Sequence, residues 1–283
     1  MTSLVFTALG IILAGFYWLQ LSIGIGTPSD VHAYWAANPN NLYPPAETTL
    51  HLDAYLYSPA FELVVGWGRH FSFEVFSAIW RALLLVVLVY LAGPFTIPAI
   101  ILMPGVASEI NAGNIQLLMA AVIVLSFRRG PWWPAFWAFV ILTKVTPGVG
   151  LLWFAARRQW HALGAALGAT AAIALVTFAI WPDRWLGWIG VLTDGGTPEP
   201  LAPYYLPFWP RVLAAVAIVL IGAWRGWRWP VVVGATLALP AFYILSPSML
   251  VGVLPFLREA MGRWVRQRLR AQANPATDGI LGA

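Results

Sequence analysis

The chain has 283 residues, of which 60% are hydrophobic and 10% charged, and its mean hydropathy is +0.75. A water-soluble domain has no core large enough for that apolar content and is excluded. The absence of cysteine excludes disulfides and thiolate metal sites, and the net charge of +5 reads as helix ends facing anionic lipid rather than a nucleic-acid surface.

Residues 1–68 contain no lysine or arginine. Within them, an apolar stretch over about 4–23 is long enough to cross a bilayer. It lacks the basic flank of a cleaved leader, so it reads as a start-transfer helix that stays in place. The loop 24–72 carries Asp30, Glu47, Asp53 and Glu62 and meets its first base at Arg69, which places it on the non-cytoplasmic side. It includes a short interfacial segment, 59–67. The basic groups Arg128 with Arg129, Arg157 with Arg158, Arg225 with Arg228, and the run Arg258, Arg263, Arg266, Arg268 and Arg270 mark cytoplasmic ends. Spans two to four then fall at about 73–92, 95–108 and 114–127. The interval between the first two arginine pairs is too long for one crossing. It predicts a hairpin of two short helices that turns outside at Lys144-Val145-Thr146-Pro147, since Pro147 disfavours helix at the residue before it. Span seven, 160–181, leads to a second external loop, 182–208. Spans eight to ten fall at 209–224, 229–245 and 248–261. The expectation is an all-α, polytopic transmembrane helical bundle of about ten spans, one domain over 1–270, with a disordered cytoplasmic tail over 271–283. The 17 tryptophans fit interfacial belts, many of them near predicted span ends.

This topology was drawn from the basic residues alone, yet it gathers the acids. Asp30, Glu47, Asp53, Glu62, Glu74, Glu109, Asp183, Asp194 and Glu199 all fall outside. Asn111, Asn114, Ser246 and the single lysine, Lys144, fall there too.

Asp30 follows the first span by a few residues and reads equally well as a helix cap or a general base. Lys144 is a snorkelling interfacial lysine or, as an ionisable group in an apolar stretch, a phosphate ligand. Arg69, Arg81, Arg184 and Arg211 lie on or near the external half and are further phosphate-ligand candidates. Arg81 sits inside span two and calls for a partner from another helix or a lipid phosphate. In Glu109-Ile110-Asn111-Ala112-Gly113-Asn114-Ile115-Gln116, the asparagines read as caps of span four or as substrate contacts, and Gln116 needs a partner one turn into the membrane. The histidines have no metal-ligand spacing. No Walker loop, dinucleotide fingerprint or Gly-x-Ser-x-Gly elbow is present, so nucleotide-dependent chemistry has no support. No metal and no cofactor is expected.

Three stretches carry a family resemblance. The first is Asp30, Tyr34, Ala37, Leu42-Tyr43 and Tyr55-Leu56-Tyr57-Ser58-Pro59-Ala60-Phe61; the second is Gly113-Asn114-Ile115-Gln116-Leu117-Leu118. The third is Lys144-Val145-Thr146-Pro147, followed by Leu151-Leu152-Trp153 and Arg157-Arg158-Gln159-Trp160. Over about 24–165 the order and spacing of these motifs resemble glycosyltransferase family 87, polytopic GT-C-type enzymes that transfer a sugar, typically mannose, from a polyprenyl-phosphate donor. The resemblance implies that Asp30 deprotonates the acceptor hydroxyl and that the sugar inverts at C1. It also implies that Lys144 meets the departing phosphate, although this chain has Lys-Val-Thr-Pro where Lys-Pro is more usual. Tyr34, Tyr57, Asn111, Asn114, Gln116 and Asp53 would then line the substrate site, with Arg69, Arg81 and Arg211 assisting at the phosphate. The implied partners are a polyprenyl-phosphate-sugar and a glycolipid or glycan acceptor, met at the non-cytoplasmic face of the cell membrane. The competing class is a non-enzymatic lipid-linked-sugar transporter or a structural subunit of an envelope assembly complex. A transporter is expected to show inverted repeats, and none is visible here.

Overall fold

The computed structural model describes residues 29–44, 54–193, 207–243 and 245–273. The expected first span at 4–23 and Asp53 lie outside the described residues, as do 194–206 of the second external loop. Among the described residues there is no β-strand.

Helix α1 (Ser29–Ala36) precedes α2 (Pro59–Val65), which a 3-10 turn (Gly66–His70) joins to the long helix α3 (Phe73–Ala92). Ser72 caps α3, its hydroxyl accepting from the Val75 N–H. Along α3, Leu84, Leu88 and Leu91 are fully buried at helical spacing while Val86 and Val89 are exposed. A helix whose outward face is also apolar is what a lipid-facing element looks like. A turn at Gly93–Phe95 continues α3 into α4 (Thr96–Leu102). Next come α5 (Pro104–Ala112) and α6 (Gln116–Ser126), bent by 108° at Gly113, whose φ of +72° is a left-handed conformation that glycine adopts without strain. A 3-10 turn (Trp133–Phe136) opens α7 (Trp137–Thr143), and another (Thr146–Leu151) opens α8 (Leu152–Ala156). The long helix α9 (Trp160–Ile180) and α10 (Pro182–Thr193) follow. Then come α11 (Phe208–Arg225), α12 (Trp229–Leu237), a 3-10 turn (Ser246–Gly252) and α13 (Val253–Ala273).

Among the described residues three segments are long and apolar enough to cross a membrane: Phe73–Leu102, Trp160–Ile180 and Phe208–Arg225. A fourth is added if the bent pair α5–α6 is one span. The described residues thus supply three or four crossings and do not confirm the expected total of about ten spans. Pro104 interrupts the expected span 95–108 and starts a new helix. Span 229–245 stops at Leu237, where the chain leaves the helix before Pro240. Span 248–261 begins as a 3-10 turn, and its helix runs on to Ala273, past the expected start of the tail, because no proline stands between Pro255, in its first turn, and Pro275. The hairpin turns where expected, at Lys144, whose extended backbone ends α7.

Helix α6 is the centre of the core: Leu117, Met119, Ala120 and Ile123 have no exposure. Close approach of small residues brings helices together in lipid, where apolar burial gives no driving force between them. A Cβ on Gly234 of α12 would stand 3.1 Å from the Ala215 carbonyl of α11, and one on Gly222 would meet Pro230.

The long helices share a polarity. At one end, Phe73 packs its ring against His32 of α1 (5.1 Å). At the same end α9 leads into α10, whose Trp188 indole donates to the Leu56 carbonyl, and Arg211 opens α11. At the other end Arg258 donates to the carbonyls of Leu91 and Ala92, Arg128 to the Tyr90 hydroxyl, and Arg157 to the Ala223 carbonyl. Arg228 faces Glu259 there. A 20-residue helix is about 30 Å long, so the acid-and-tyrosine end and the arginine end are separated by roughly a bilayer core.

Candidate active site

Helix α1 is seated on the α5–α6 bend. Val31, fully buried, lies directly over Gly113, where an added Cβ would come within 2.6 Å of its own Cβ. The Trp80 indole donates to the Gly113 carbonyl (2.7 Å), and the Trp35 indole to that of Phe71 (2.9 Å). Asp30 is the second residue of α1. It occupies the first turn rather than the capping position, a favourable place for a carboxylate by the helix dipole. It is half-buried.

The Tyr34 hydroxyl donates to that of Tyr57 (3.0 Å), and Tyr57 is hydrogen-bonded to the Asp30 side chain. Both rings are buried. Burial pushes both phenols well above their usual range, and the charge of Asp30 pushes further, so they remain neutral donors. Lys144 is half-buried, with its ammonium 6.0 Å from the centre of the Tyr57 ring and Asp30 and Glu109 acting on it electrostatically. The break that carries it is pinned by Thr146, whose hydroxyl donates to the Ala238 carbonyl (2.5 Å).

That bond brings in the chain after α12. Residues 238–243, expected inside a span, instead form a wall of the site. Arg211, predicted as a phosphate ligand, holds this wall by donating to the carbonyls of Leu237 and Leu239 (2.7 Å each) and Pro240 (3.3 Å). Ser246 accepts from the Tyr243 N–H (2.9 Å). The half-buried Tyr243 feels the charge of Asp30, and burial followed by that charge raises its phenol above the usual range. Gln116, buried as expected, finds its partners here. With its amide nitrogen toward the 245–246 backbone, it donates to the carbonyls of Leu245 (3.1 Å) and Ser246 (3.0 Å).

Glu109, expected at an external helix end, is fully buried. Its Oε1 accepts from the backbone N–H groups of Gln116 and of Leu117 (3.1 Å), so it caps α6, the role expected of Asn111 and Asn114. Asn114, also buried, accepts from its neighbour Ile115 (2.7 Å). The Asn111 carbonyl accepts from Arg81 (2.9 Å), which supplies the inter-helix partner that Arg81 called for.

Of the predicted residues, Asp30, Tyr34, Tyr57 and Lys144 thus meet in one cluster, with Gln116, Asn114, Asn111 and Arg81 around the supporting bend. Arg69 stands apart, pairing with Glu62, which also faces Arg184 at 3.4 Å and so ties α2 to α10. Glu109 and Tyr243 are additions that sequence reasoning missed. For Tyr243 the available signal was the bracket of Pro240 and Pro247 in an apolar run; for Glu109 it was an acid set just before a glycine turn.

Tyr34, Tyr57 and Glu109 form a buried floor, and Asp30, Lys144 and Tyr243 a half-buried rim. The cluster offers a carboxylate to take a proton, an ammonium to meet an anion, and phenols to orient oxygen atoms. Among the described residues no group of three or more His, Asp or Glu side chains is placed to hold a metal ion.

The family model described as glycosyltransferase family 87 matches residues 55–254, well over half of the chain. That stretch includes Lys144, Glu109 and Tyr243; Asp30 precedes it. Over 107 residues the chain is 36% identical to a polyprenol-phosphate-mannose-dependent alpha-(1-2)-phosphatidylinositol mannoside mannosyltransferase of Mycobacterium tuberculosis (strain ATCC 25618 / H37Rv). The alignment covers 36% of this chain and 25% of that protein, so the chain matches about a quarter of its relative's length. No solved structure matches.

Proposed function

The chain belongs to glycosyltransferase family 87, and from that premise we propose that it transfers a mannosyl group from a polyprenyl-phosphate donor to a lipid or glycan acceptor at the non-cytoplasmic membrane face. The donor class and the sugar follow the name of the mycobacterial relative. In the proposed step, Asp30 takes the proton of the acceptor hydroxyl as its oxygen attacks C1 of the sugar. The C1–O bond to phosphate breaks, the configuration inverts, and polyprenyl phosphate leaves with the bonding pair. Lys144 stabilises the charge that builds on the leaving phosphate. Arg81 of α3, which donates to the Asn111 carbonyl of the supporting bend, assists it. Arg211 acts through the wall it holds, and Tyr57 fixes the Asp30 carboxylate by hydrogen bond.

The observation that carries this reading is the convergence of Asp30 and Lys144, distant in sequence, over a floor of two neutral tyrosines. The sidedness rests on the arginines at the far end of the long helices, since such residues collect on the cytoplasmic side. The test supplies purified protein with polyprenyl-phosphate-mannose and a panel of glycolipid acceptors. Transfer to an acceptor supports the reading; donor that stays intact with every acceptor contradicts it.

A further inference from the structure

The pair Arg157 and Arg158 belongs to the third family stretch, yet the transfer step gives it no part. It lies at the opposite end of the long helices from Asp30, where α8 and α11 end side by side. Arg157 donates to the Ala223 carbonyl of α11 (2.8 Å), and its guanidinium lies 5.4 Å from the centre of the Trp153 ring. Between the two helix ends is an open cleft of about 350 Å³, lined by Ala156, Arg157, Arg158, Leu220, Ala223 and Trp224. None of these residues is acidic.

The two helices end by the same hydrogen-bond pattern. On α11 the Gly226 N–H donates to the Ala223 carbonyl (3.2 Å) and the Trp227 N–H to that of Gly222 (2.8 Å). On α8 the Arg158 N–H donates to the Ala155 carbonyl (2.9 Å) and the Gln159 N–H to that of Phe154 (2.8 Å). Each end turns through a left-handed residue. In α11 that residue is Gly226, at φ +72°, which adopts the conformation without strain. In α8 it is Arg158, at φ +54°, the single non-glycine residue with positive φ among the described residues. A side chain there strains the backbone, and an observed strain of this kind points to a use for the side chain that causes it. The fold does not supply that use. Among the described residues no hydrogen bond or ion pair engages the Arg158 guanidinium, whereas at the same end Arg128, Arg157, Arg228 and Arg258 each have a partner.

The other side of the cleft is apolar. Leu213, Leu220 and Trp224 are exposed at helical spacing along α11, one of the segments able to cross a membrane. The Arg225 guanidinium lies 4.7 Å from the centre of the Trp224 ring, which adds a third cation at the rim. An amphiphile with an anionic phosphate and a hydrocarbon chain matches both sides of this cleft. Guanidinium groups take phosphate oxygens through paired N–H donors, and basic clefts between membrane helices recognise anionic headgroups. A free phosphate would leave the apolar wall without a counterpart.

We propose that this cleft binds the headgroup of an anionic glycerophospholipid, with Arg157 and Arg158 holding its phosphate and an acyl chain lying along Leu220 and Trp224. The inference rests on α11 crossing the membrane and not on sugar transfer, so the two stand or fall separately.

The test titrates purified, delipidated protein in detergent with phosphatidylglycerol or with zwitterionic phosphatidylcholine and counts bound lipid by native mass spectrometry. We expect phosphatidylglycerol to be held about tenfold more tightly or better, because the choline group would bring a cation among Arg157, Arg158 and Arg225. Arg158→Gly removes the guanidinium and the strain together. Its Tm without lipid is expected to hold or rise, while its preference for phosphatidylglycerol is lost. Arg129→Ala changes an exposed arginine at the same end but outside the cleft, and is expected to bind as the wild type does. Equal affinity for the two lipids, undiminished binding in Arg158→Gly, an equal loss in Arg129→Ala, or displacement of the lipid by millimolar inorganic phosphate each overturns the proposal. Should Arg158→Gly fail to fold, Arg158→Asn, whose side chain also tolerates the left-handed conformation, is judged by the same outcomes.

Discussion

Replacing Gly113 by alanine asks how tightly Asp30, the proposed base, depends on the α5–α6 bend. At φ +72° an alanine costs about 1–2 kcal/mol in the backbone alone. Its Cβ would also lie 2.6 Å from Val31 Cβ, 3.0 Å from Val31 Cγ1 and 3.3 Å from Trp80 Cδ1. Both neighbours are buried in a packed core, and overpacking of this kind costs a further ~1–3 kcal/mol. Restoring carbon–carbon contact to roughly 3.5–4 Å shifts α1, and Asp30 with it, by about 1 Å, a misplacement that lowers turnover on the order of 10²-fold. The control is Gly226→Ala, which has the same φ of +72° at the arginine end, where the new Cβ meets only Arg157 Nη1 at 3.5 Å. It carries the backbone strain without the collision. Thermal unfolding in detergent and mannosyl transfer are measured for both. We expect both to lower Tm, Gly113→Ala by about 10 °C and Gly226→Ala by a few degrees, and only Gly113→Ala to lose transfer in the folded fraction. Equal transfer in the two variants, after correction for folded protein, would refute the seating of Asp30 on this bend.

Other expectations concern the phosphate, the wall and the topology. Lys144→Ala should raise the donor KM by at least tenfold, since an ion pair to phosphate in a partly dry site is worth a few kcal/mol, and Lys144→Arg should restore it only in part, because the planar fork is larger and aims differently; initial-rate kinetics over donor concentration decide. Arg211→Met leaves three carbonyls without their donor. At about 1–3 kcal/mol for each buried unsatisfied group the protein should lose much of its thermal stability, with no recovery in Arg211→Lys, as melting curves would reveal. A single cysteine introduced at Gly130 should resist a membrane-impermeant reagent in intact cells, and one at Phe71 should react; the reverse pattern inverts the assigned sidedness.

The elements legible in the sequence were those fixed by local pattern. Span 73–92 coincides with α3, 160–181 with α9 and 209–224 with α11, because each is a long, predominantly apolar run between charged or proline-bearing ends. The break at Lys144 was legible from Pro147. The elements that escaped depend on tertiary contacts. The run 229–245 looks like a span in composition, yet its second half leaves the helix and is held as loop by Arg211, from a helix that precedes it in the chain. Glu109 looks like a solvated helix end until the 108° bend folds α6 back over it and buries its carboxylate against two N–H groups. For the site itself, the residue types of Asp30 and Lys144 marked them as chemically unusual, but their proximity came from the family resemblance, since no local spacing relates them. Tyr243 had no such marker, being one aromatic among many in an apolar run.

The central claim is that Asp30 is the base for sugar transfer. Asp30→Asn measures it most directly, because asparagine keeps an oxygen for the Tyr57 hydrogen bond and fits the first turn of α1 nearly as well, losing only the capacity to take the proton. Mannosyl transfer from polyprenyl-phosphate-mannose, compared with wild type at matched folded protein, is expected to fall by ~10²-fold or more with the donor KM little changed. Turnover in Asp30→Asn within a few-fold of wild type would contradict the account.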